Sequence, residues 1–365
     1  MTVVETGLFY IGTAIISLFL CRQSEVTGKK LGIVLSAAAL IFLSGLRAHT
    51  VGVDTMLYKA GVEYFFHNNQ ISWQYSFSIG YGIFTKLVLS VWNNYSFLLL
   101  IQAAITNGLI LARFWDYRDV ASLSFMLFVY LCTMYYMTLC IICQYLAVAI
   151  AFYFSRYLDR GKPLVYCVAL VLASAIHISA LIGLVPLVLR FFKFKGVSNL
   201  RFLAQTAMLL LIPLVAMFVA GQMSSRYSGY FSDSEYASSI GFMVFAQVFV
   251  YLFSLLGCGY FSKEGSKEAQ IRKRIKDGAP FSLFMYSIGI LLNAASYVVA
   301  PAGRMAYYFT IFGPVVFGSL VKGCSRSKLC WVCAMLLVVW YVAYGIYTFF
   351  FHSSLGIFPY SFFWQ

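Results

Sequence analysis

The chain has 365 residues, of which 62% are hydrophobic and 10% are charged. So few polar residues cannot cover a surface exposed to water, which excludes a water-soluble domain. The formal net charge of +14 does not indicate nucleic-acid binding, because basic residues in a membrane protein mainly reflect its topology.

The first apolar run covers residues 3–21, with Glu5 near its start and Arg22, Lys29 and Lys30 after it. A signal peptide has its positive charge before the apolar region and a small-residue cleavage site behind it. Because this segment has the reverse order, we expect a retained membrane helix. Further runs close to the ~20 residues of a spanning helix follow along the chain.

These runs predict an all-α, polytopic integral membrane protein with about 12 (10–13) transmembrane helices. We expect a single transmembrane domain over residues 1–365. The predicted spans are residues 3–21, 31–46, 95–113, 119–138, 140–158, 164–176, 178–190, 201–221, 240–261, 280–299, 304–322 and 329–350.

The basic residues give the orientation of these spans. Most of the 26 Lys and Arg residues lie in short segments between alternate spans, including the basic loop 262–279. Short cytoplasmic loops concentrate Lys and Arg, so these segments are predicted to be cytoplasmic. Loops 47–94 and 222–239 are then predicted to face outward, together with both termini.

Two segments need a special arrangement. Residues 76–92 contain Lys86, and a crossing there would reverse every later loop, so we expect an interfacial helix on the outer surface. Residues 164–190 begin and end at basic clusters that are predicted to be cytoplasmic. The segment must therefore enter the membrane from the cytoplasmic side and return to that side. Each half has only about 13 residues, near 20 Å, which is shorter than the ~30 Å hydrocarbon core. We predict a short or re-entrant hairpin with His177 at its tip.

Ionisable and aromatic residues collect on the predicted outward side. Each has an ordinary alternative role: Arg47 as a side chain reaching lipid headgroups, Asp54 as a loop or capping residue, His177 as a ring bonded to a backbone carbonyl. Tyrosines are common at membrane interfaces. The convergence of several arginines nevertheless favours a cationic site suited to phosphate.

Metal and nucleotide sites find little support in the sequence. The Cys-x-x-Cys pairs at 140–143 and 330–333 lie in apolar helical sequence, where small apolar helix residues are the favoured interpretation. Asp233 and Glu235 lie in a serine-rich loop and offer too few oxygen ligands for a cation. No Walker loop or dinucleotide fingerprint is present. We therefore expect no metal and no cofactor.

Several motifs together resemble one family. RAHTVGVDTMLY resembles the Arg-x4-Gly-x-Asp-x3-Tyr signature of the EpsG family of bacterial polysaccharide polymerases, the Wzy-like group, with matches at Arg47, Gly52, Asp54 and Tyr58. Further resemblances follow in the family's order: HISAL from His177, RYSGY from Arg226 to Tyr230, GRMAYYF with Arg304, and FPYSFF with Tyr360. The family commonly has Arg-Gln before the fifth span, whereas this chain has Cys143-Gln144.

The resemblance implies a membrane glycosyltransferase of GT-C-like architecture in the bacterial inner (cytoplasmic) membrane. Such proteins join oligosaccharide repeat units, preassembled on undecaprenyl diphosphate, into O-antigen, capsule or exopolysaccharide on the periplasmic or outer face. The lipid-linked glycan is then both donor and acceptor. The other implied partners are membrane lipids, chain-length regulators and flippases, without nucleic acid.

The chemistry of such a reaction suggests residue roles. Cations aimed at the leaving diphosphate lower the barrier, which makes Arg47 and Arg304 candidates. The attacking sugar hydroxyl needs a base. His177 is the first candidate, and Asp54 is the second or an orienting group. We expect His177, Arg47 and Arg304 to border one outward cavity. The candidate substrate-binding residues are Tyr58, Gln144, Arg226, Tyr227, Tyr230, Tyr307, Tyr308 and Tyr360.

Two other functions remain open from the sequence. An O-antigen ligase-like transferase uses the same donor and the same chemistry, and only the family resemblance favours a polymerase. A flippase or transporter of lipid-linked oligosaccharides would place polar residues near the midplane and would often contain internal repeats with paired broken helices. Here one broken hairpin is predicted, and the polar groups are biased outward.

Overall fold

The computed structural model describes residues 1–68, 78–187, 281–296, 301–323, 328–351 and 355–365, with a few single positions between 252 and 279. The predicted span 201–221 and the predicted loop 222–239 lie outside these residues, and so does the predicted span 240–261 except for Leu252. Most of the basic loop 262–279 also lies outside them.

The described part of the chain is built from helices. Their bounds are α1 Val3–Thr27, α2 Leu31–Gly45, α3 Thr55–Asn68, α4 Ile79–Val91, α5 Tyr95–Asp116, α6 Leu123–Thr133, α7 Ile142–Phe154, α8 Arg156–Asp159, α9 Pro163–Ile176, α10 Ser282–Ala295, α11 Pro301–Thr310, α12 Gly313–Gly323 and α13 Lys328–Ile346. Short 3₁₀ segments cover Tyr135–Leu139 and Ile178–Leu184, and a π-helical turn covers Tyr347–Phe351.

Four segments of the described chain are long and apolar enough to cross a membrane, namely Val3–Thr27, Tyr95–Asp116, Pro301–Gly323 and Trp331–Phe349. Shorter apolar helices accompany them, among them α2, α4 and α9. Helices of this length and composition indicate an integral membrane protein. The all-α prediction is therefore confirmed for the residues that the structure describes.

The predicted spans 119–138 and 304–322 are interrupted in the structure, and Ser155 also separates α7 from α8 within the predicted span 140–158. The span 119–138 ends as an α-helix at Thr133, because Met134 leaves helical geometry at φ −132° and ψ −33°. The span 304–322 consists of two helices, α11 and α12, with a turn between them. Pro314 explains the second break, since proline has no N–H to bond to the carbonyl one turn earlier and its ring collides with that carbonyl.

Residues 1–181 and 338–365 form one compact unit, which we call the N-terminal unit. Helix α5 packs against α2, α4 and α7, and α7 packs in turn against α9. Most of α7 is buried, whereas one face of α1 and one face of α9 carry large exposed apolar side chains. Such faces suit contact with lipid rather than with water.

Ion pairs tie the basic segments together at one end of the N-terminal unit. The guanidinium of Arg113, at the end of α5, lies 3.1 Å from the carboxylate of Asp116 and 2.5 Å from that of Asp159. Arg156 bonds to Asp116 at 2.9 Å. The two predicted cytoplasmic segments that follow α5 and α7 therefore share one end, as the predicted orientation requires.

Residues 182–337 form a second compact unit. Within it α10 packs against α11 and α12. Gly289 permits a close approach here, since a Cβ at this position would lie 2.8 Å from the backbone nitrogen of Thr310. The rings of Tyr286 and Phe317 meet edge to face at 5.3 Å. Arg304 lies in this unit, on α11.

Candidate functional site

The loop 46–54 lies at the other end of the N-terminal unit, beyond α2. It is held against the segment 355–363 by backbone hydrogen bonds in antiparallel fashion. The Ala48 N–H donates to the Ser361 carbonyl at 2.8 Å. Three further N–H groups donate to carbonyls across these two segments: Phe363 to Leu46 at 3.0 Å, Gly52 to Gly356 at 2.8 Å and Val53 to Leu355 at 2.8 Å. Two segments far apart in sequence thus form one rigid rim.

Arg47 is the centre of this rim, although its side chain is only 2% exposed. The guanidinium donates to three backbone carbonyls, namely those of Ser44, Val51 at 3.2 Å and Leu139 at 3.0 Å. Burial lowers the pKa of Arg47 from its ordinary value. The side chain therefore joins the end of α2, the loop and the 3₁₀ segment Tyr135–Leu139, rather than reaching outward as the sequence suggested.

The same Leu139 carbonyl explains the glycine of the motif. Gly52 has φ +96°, and a Cβ at this position would lie 2.3 Å from the Leu139 oxygen. A side chain therefore cannot be placed here without displacing backbone. The Thr55 hydroxyl lies 3.0 Å from the Val51 carbonyl oxygen and 3.2 Å from that of Leu139. Arg47, Gly52 and Thr55 converge on one point, which fixes the position of Asp54 between them.

Tyr360 also has a structural contact. Its side chain is fully buried, and its hydroxyl donates to the Leu43 carbonyl at 2.9 Å. Its backbone N–H donates to the Thr6 hydroxyl at 2.9 Å. The Tyr10 hydroxyl donates to the Ile357 carbonyl at 2.7 Å. Tyr360 therefore anchors the rim to α1 and α2 in this structure.

Tyr58 lies in a buried cluster with Tyr81 and Cys143. The rings of Tyr58 and Tyr81 meet edge to face with centroids 6.1 Å apart, and Cys143 is buried in the same cluster. The neighbouring Gln144 is 0% exposed. Residue 143, where the family commonly has arginine, therefore lies within the same cluster as the motif tyrosine Tyr58.

His177 ends α9 at the edge of this cluster. The preceding Ile176 packs against it, and the Ser78 hydroxyl at the start of α4 donates to the Ile176 carbonyl. The His177 ring is half-buried, and its Nδ1 lies 2.6 Å from the Ser179 hydroxyl oxygen. A 3₁₀ segment, Ile178–Leu184, follows at once, which agrees with the predicted break at the hairpin tip.

A polar pocket lies beside Arg47, between α2, α5 and the 3₁₀ segment Tyr135–Leu139. Its lining residues are Ser44, Arg47, Leu99, Gln102, Ala103, Thr106, Asn107, Thr138 and Ile142. His177 is not among them. This pocket is therefore not the cavity that His177 and Arg47 were expected to share. The Arg47 side chain faces inward to its carbonyl partners.

The remaining predicted residues are divided between several environments. Asp54 is half-buried at the start of α3. In the second unit, Arg304 is exposed, Tyr307 is half-buried and Tyr308 is buried. Arg226, Tyr227 and Tyr230 lie outside the described residues. No group of three or more His, Cys, Asp or Glu side chains in the described part of the chain is arranged to hold a metal ion.

Sequence reasoning did not single out the aromatic residues at the edge of the rim. Phe362 and Trp364 stack with their ring planes 9° apart and their centroids at 4.5 Å. Trp364 is 59% exposed. The two residues belong to a turn, in which the Gln365 N–H donates to the Phe362 carbonyl at 3.0 Å. The run of aromatic residues Phe362, Phe363 and Trp364 was the available signal in the sequence.

Long apolar helices and a rim of polar groups at one end of a helical unit define a helical integral membrane protein with a candidate site at that end. The EpsG family matches residues 30–362. The chain therefore belongs to the EpsG family, which is involved in exopolysaccharide synthesis. No curated protein and no solved structure matches the chain.

Proposed function

We propose that this protein is a polysaccharide polymerase, which joins repeat units carried on undecaprenyl diphosphate at the outer face of the bacterial inner membrane. The observation that carries the proposal is the EpsG match over residues 30–362, which includes every candidate site residue predicted from the sequence. The rim around loop 46–54 and the His177 tip offer the required polar groups on an otherwise apolar bundle.

His177 is the proposed general base. In the tautomer whose Nδ1–H donates to Ser179, Nε2 carries the lone pair that accepts a proton. The acceptor sugar hydroxyl would give its proton to Nε2 while its oxygen forms the new bond to the anomeric carbon. The bond from that carbon to the diphosphate oxygen breaks, and its electron pair leaves with the diphosphate. Asp54 is the alternative base.

The arginines have different proposed roles. Arg304 is exposed on α11, and its proposed role is to stabilise the charge that develops on the leaving diphosphate. Arg226 is a second proposed contact with the diphosphate. Arg47 is committed to three carbonyls, and we propose that it positions the loop that carries Asp54 without touching the substrate.

Sugar contacts are proposed for the aromatic residues that remain accessible. Trp364, with its exposed ring stacked on Phe362, offers a flat apolar surface of the kind that packs against a sugar ring. Tyr307 on α11 is the corresponding proposal in the second unit. Tyr58, Gln144 and Tyr360 are buried, and we assign them support of the site.

The test is the glycan produced by a strain that lacks this gene and is complemented with the wild-type chain or with an empty vector. A polymerase is supported if the deletion leaves only single repeat units on the carrier lipid or its final acceptor. Full-length chains that remain unattached would instead indicate a ligase. Repeat units that stay on the cytoplasmic leaflet would indicate a flippase.

A further inference from the structure

The pocket beside Arg47 contains a buried amide group whose hydrogen bonding is incomplete. Gln102 on α5 is 3% exposed. Its Oε1 accepts a hydrogen bond from the Tyr81 hydroxyl at 2.9 Å. Its Nε2 has no hydrogen-bond partner among the described residues. A buried polar group without a partner is costly, so each such group calls for a physical explanation.

Acceptors face the same pocket from the two neighbouring elements. The Tyr135 hydroxyl donates its single proton to the Leu40 carbonyl at 2.7 Å, so Ser44 is the donor in its 3.0 Å bond to that hydroxyl. The Thr138 hydroxyl donates to the Tyr135 carbonyl at 2.6 Å. Both side-chain oxygens therefore offer lone pairs, while Gln102 offers N–H groups.

The size of the pocket limits what can bridge these groups. Its volume is about 10 Å³, close to the space that one water molecule needs. A buried water typically makes about three hydrogen bonds to polar groups that otherwise lack partners. One donor and two acceptors in the lining match that requirement, whereas the space is too small for an organic ligand.

We propose that this pocket is a binding site for one structural water molecule, held by Gln102, Ser44 and Thr138. The water accepts from Gln102 Nε2 and donates its two protons to the two hydroxyl oxygens. It thereby links α5 to α2 and to the 3₁₀ segment Tyr135–Leu139. These last two elements provide the carbonyls of Ser44 and Leu139 that accept hydrogen bonds from Arg47. By holding the two elements in place, the water stabilises the Arg47 contacts.

The direct test is X-ray hydroxyl-radical footprinting of the purified wild-type chain in lipid nanodiscs, because radicals formed from a bound water oxidise the side chains around it. Leu99 lines the pocket and is 2% exposed, whereas the adjacent Leu98 is 0% exposed and does not line it. We expect oxidation of Leu99 several-fold above that of Leu98. Equal, background oxidation of both leucines would overturn the proposal.

A second test uses thermal unfolding in a background that lacks the Tyr81 bond. Tyr81→Phe removes the donor to Gln102 Oε1, so that Gln102→Leu in this background no longer breaks that bond. If water is bound, the double variant should unfold about 2–4 °C below Tyr81→Phe, the shift expected for one lost hydrogen bond. If the pocket is dry, loss of an unpartnered amide should leave the midpoint unchanged or raise it, which would contradict the proposal.

Discussion

Arg47→Lys separates a positioning role of this arginine from a role in binding the substrate. The native guanidinium makes three hydrogen bonds to buried carbonyls, and a bond to a charged donor contributes about 1.5–3 kcal/mol. Lysine keeps the charge but concentrates its donors on one nitrogen, so we expect at least one of the three bonds to be lost. The free energy of unfolding should then fall by about 2–4 kcal/mol.

The assay is thermal unfolding of the purified protein in nanodiscs, combined with limited proteolysis of loop 46–54. Arg22→Lys is the matched control, because the Arg22 side chain is 59% exposed and pairs with Glu25 at 3.3 Å. An exposed pair contributes about 0–1 kcal/mol, so the control should unfold close to wild type. If Arg47→Lys kept wild-type stability and protease resistance but lost polymer, Arg47 would act on the substrate and the positioning role would be wrong.

Three further expectations concern the site and its orientation. His177→Gln keeps a hydrogen-bonding side chain but not a base, so the rate should fall about 10²–10⁴-fold and single repeats should accumulate on the carrier; polymer of normal length would move the role to Asp54. Arg304→Lys keeps the charge but loses the planar guanidinium, which can donate two parallel hydrogen bonds to a phosphate. Most polymerisation should then be lost at normal protein levels, and polymer of normal chain length would remove Arg304 from the mechanism. On a cysteine-free background, a membrane-impermeant thiol reagent applied to intact spheroplasts should label Thr50→Cys but not Lys162→Cys; the reverse pattern would invert the topology.

The sequence predicted helices best where composition alone determines them. The spans 31–46 and 164–176 correspond closely to Leu31–Gly45 and Pro163–Ile176, because an apolar run with charged or polar flanks defines a helix in lipid. The spans 119–138 and 304–322 were predicted as continuous helices. Both are as apolar as a real span, and their α-helices are interrupted at Met134 and just before Pro314.

The candidate site was predicted only in part. The motif Arg-x4-Gly-x-Asp lies in loop 46–54, and the conformation of Gly52 at φ +96° explains its glycine. The inward orientation of Arg47 was not predictable, because one of its partners is the carbonyl of Leu139, 92 positions away. The pairing of this loop with residues 355–363 was missed for the same reason, since sequence periodicity reports local structure only.

The most direct measurement is reconstitution of the purified wild-type chain in liposomes with undecaprenyl-diphosphate-linked repeat units as the only substrate. We expect products of two or more repeats, with one undecaprenyl diphosphate released for each new glycosidic bond, and His177→Gln protein should give almost none. Repeat units that change leaflet without being joined, or that are consumed only when a different acceptor is supplied, would contradict the polymerase function.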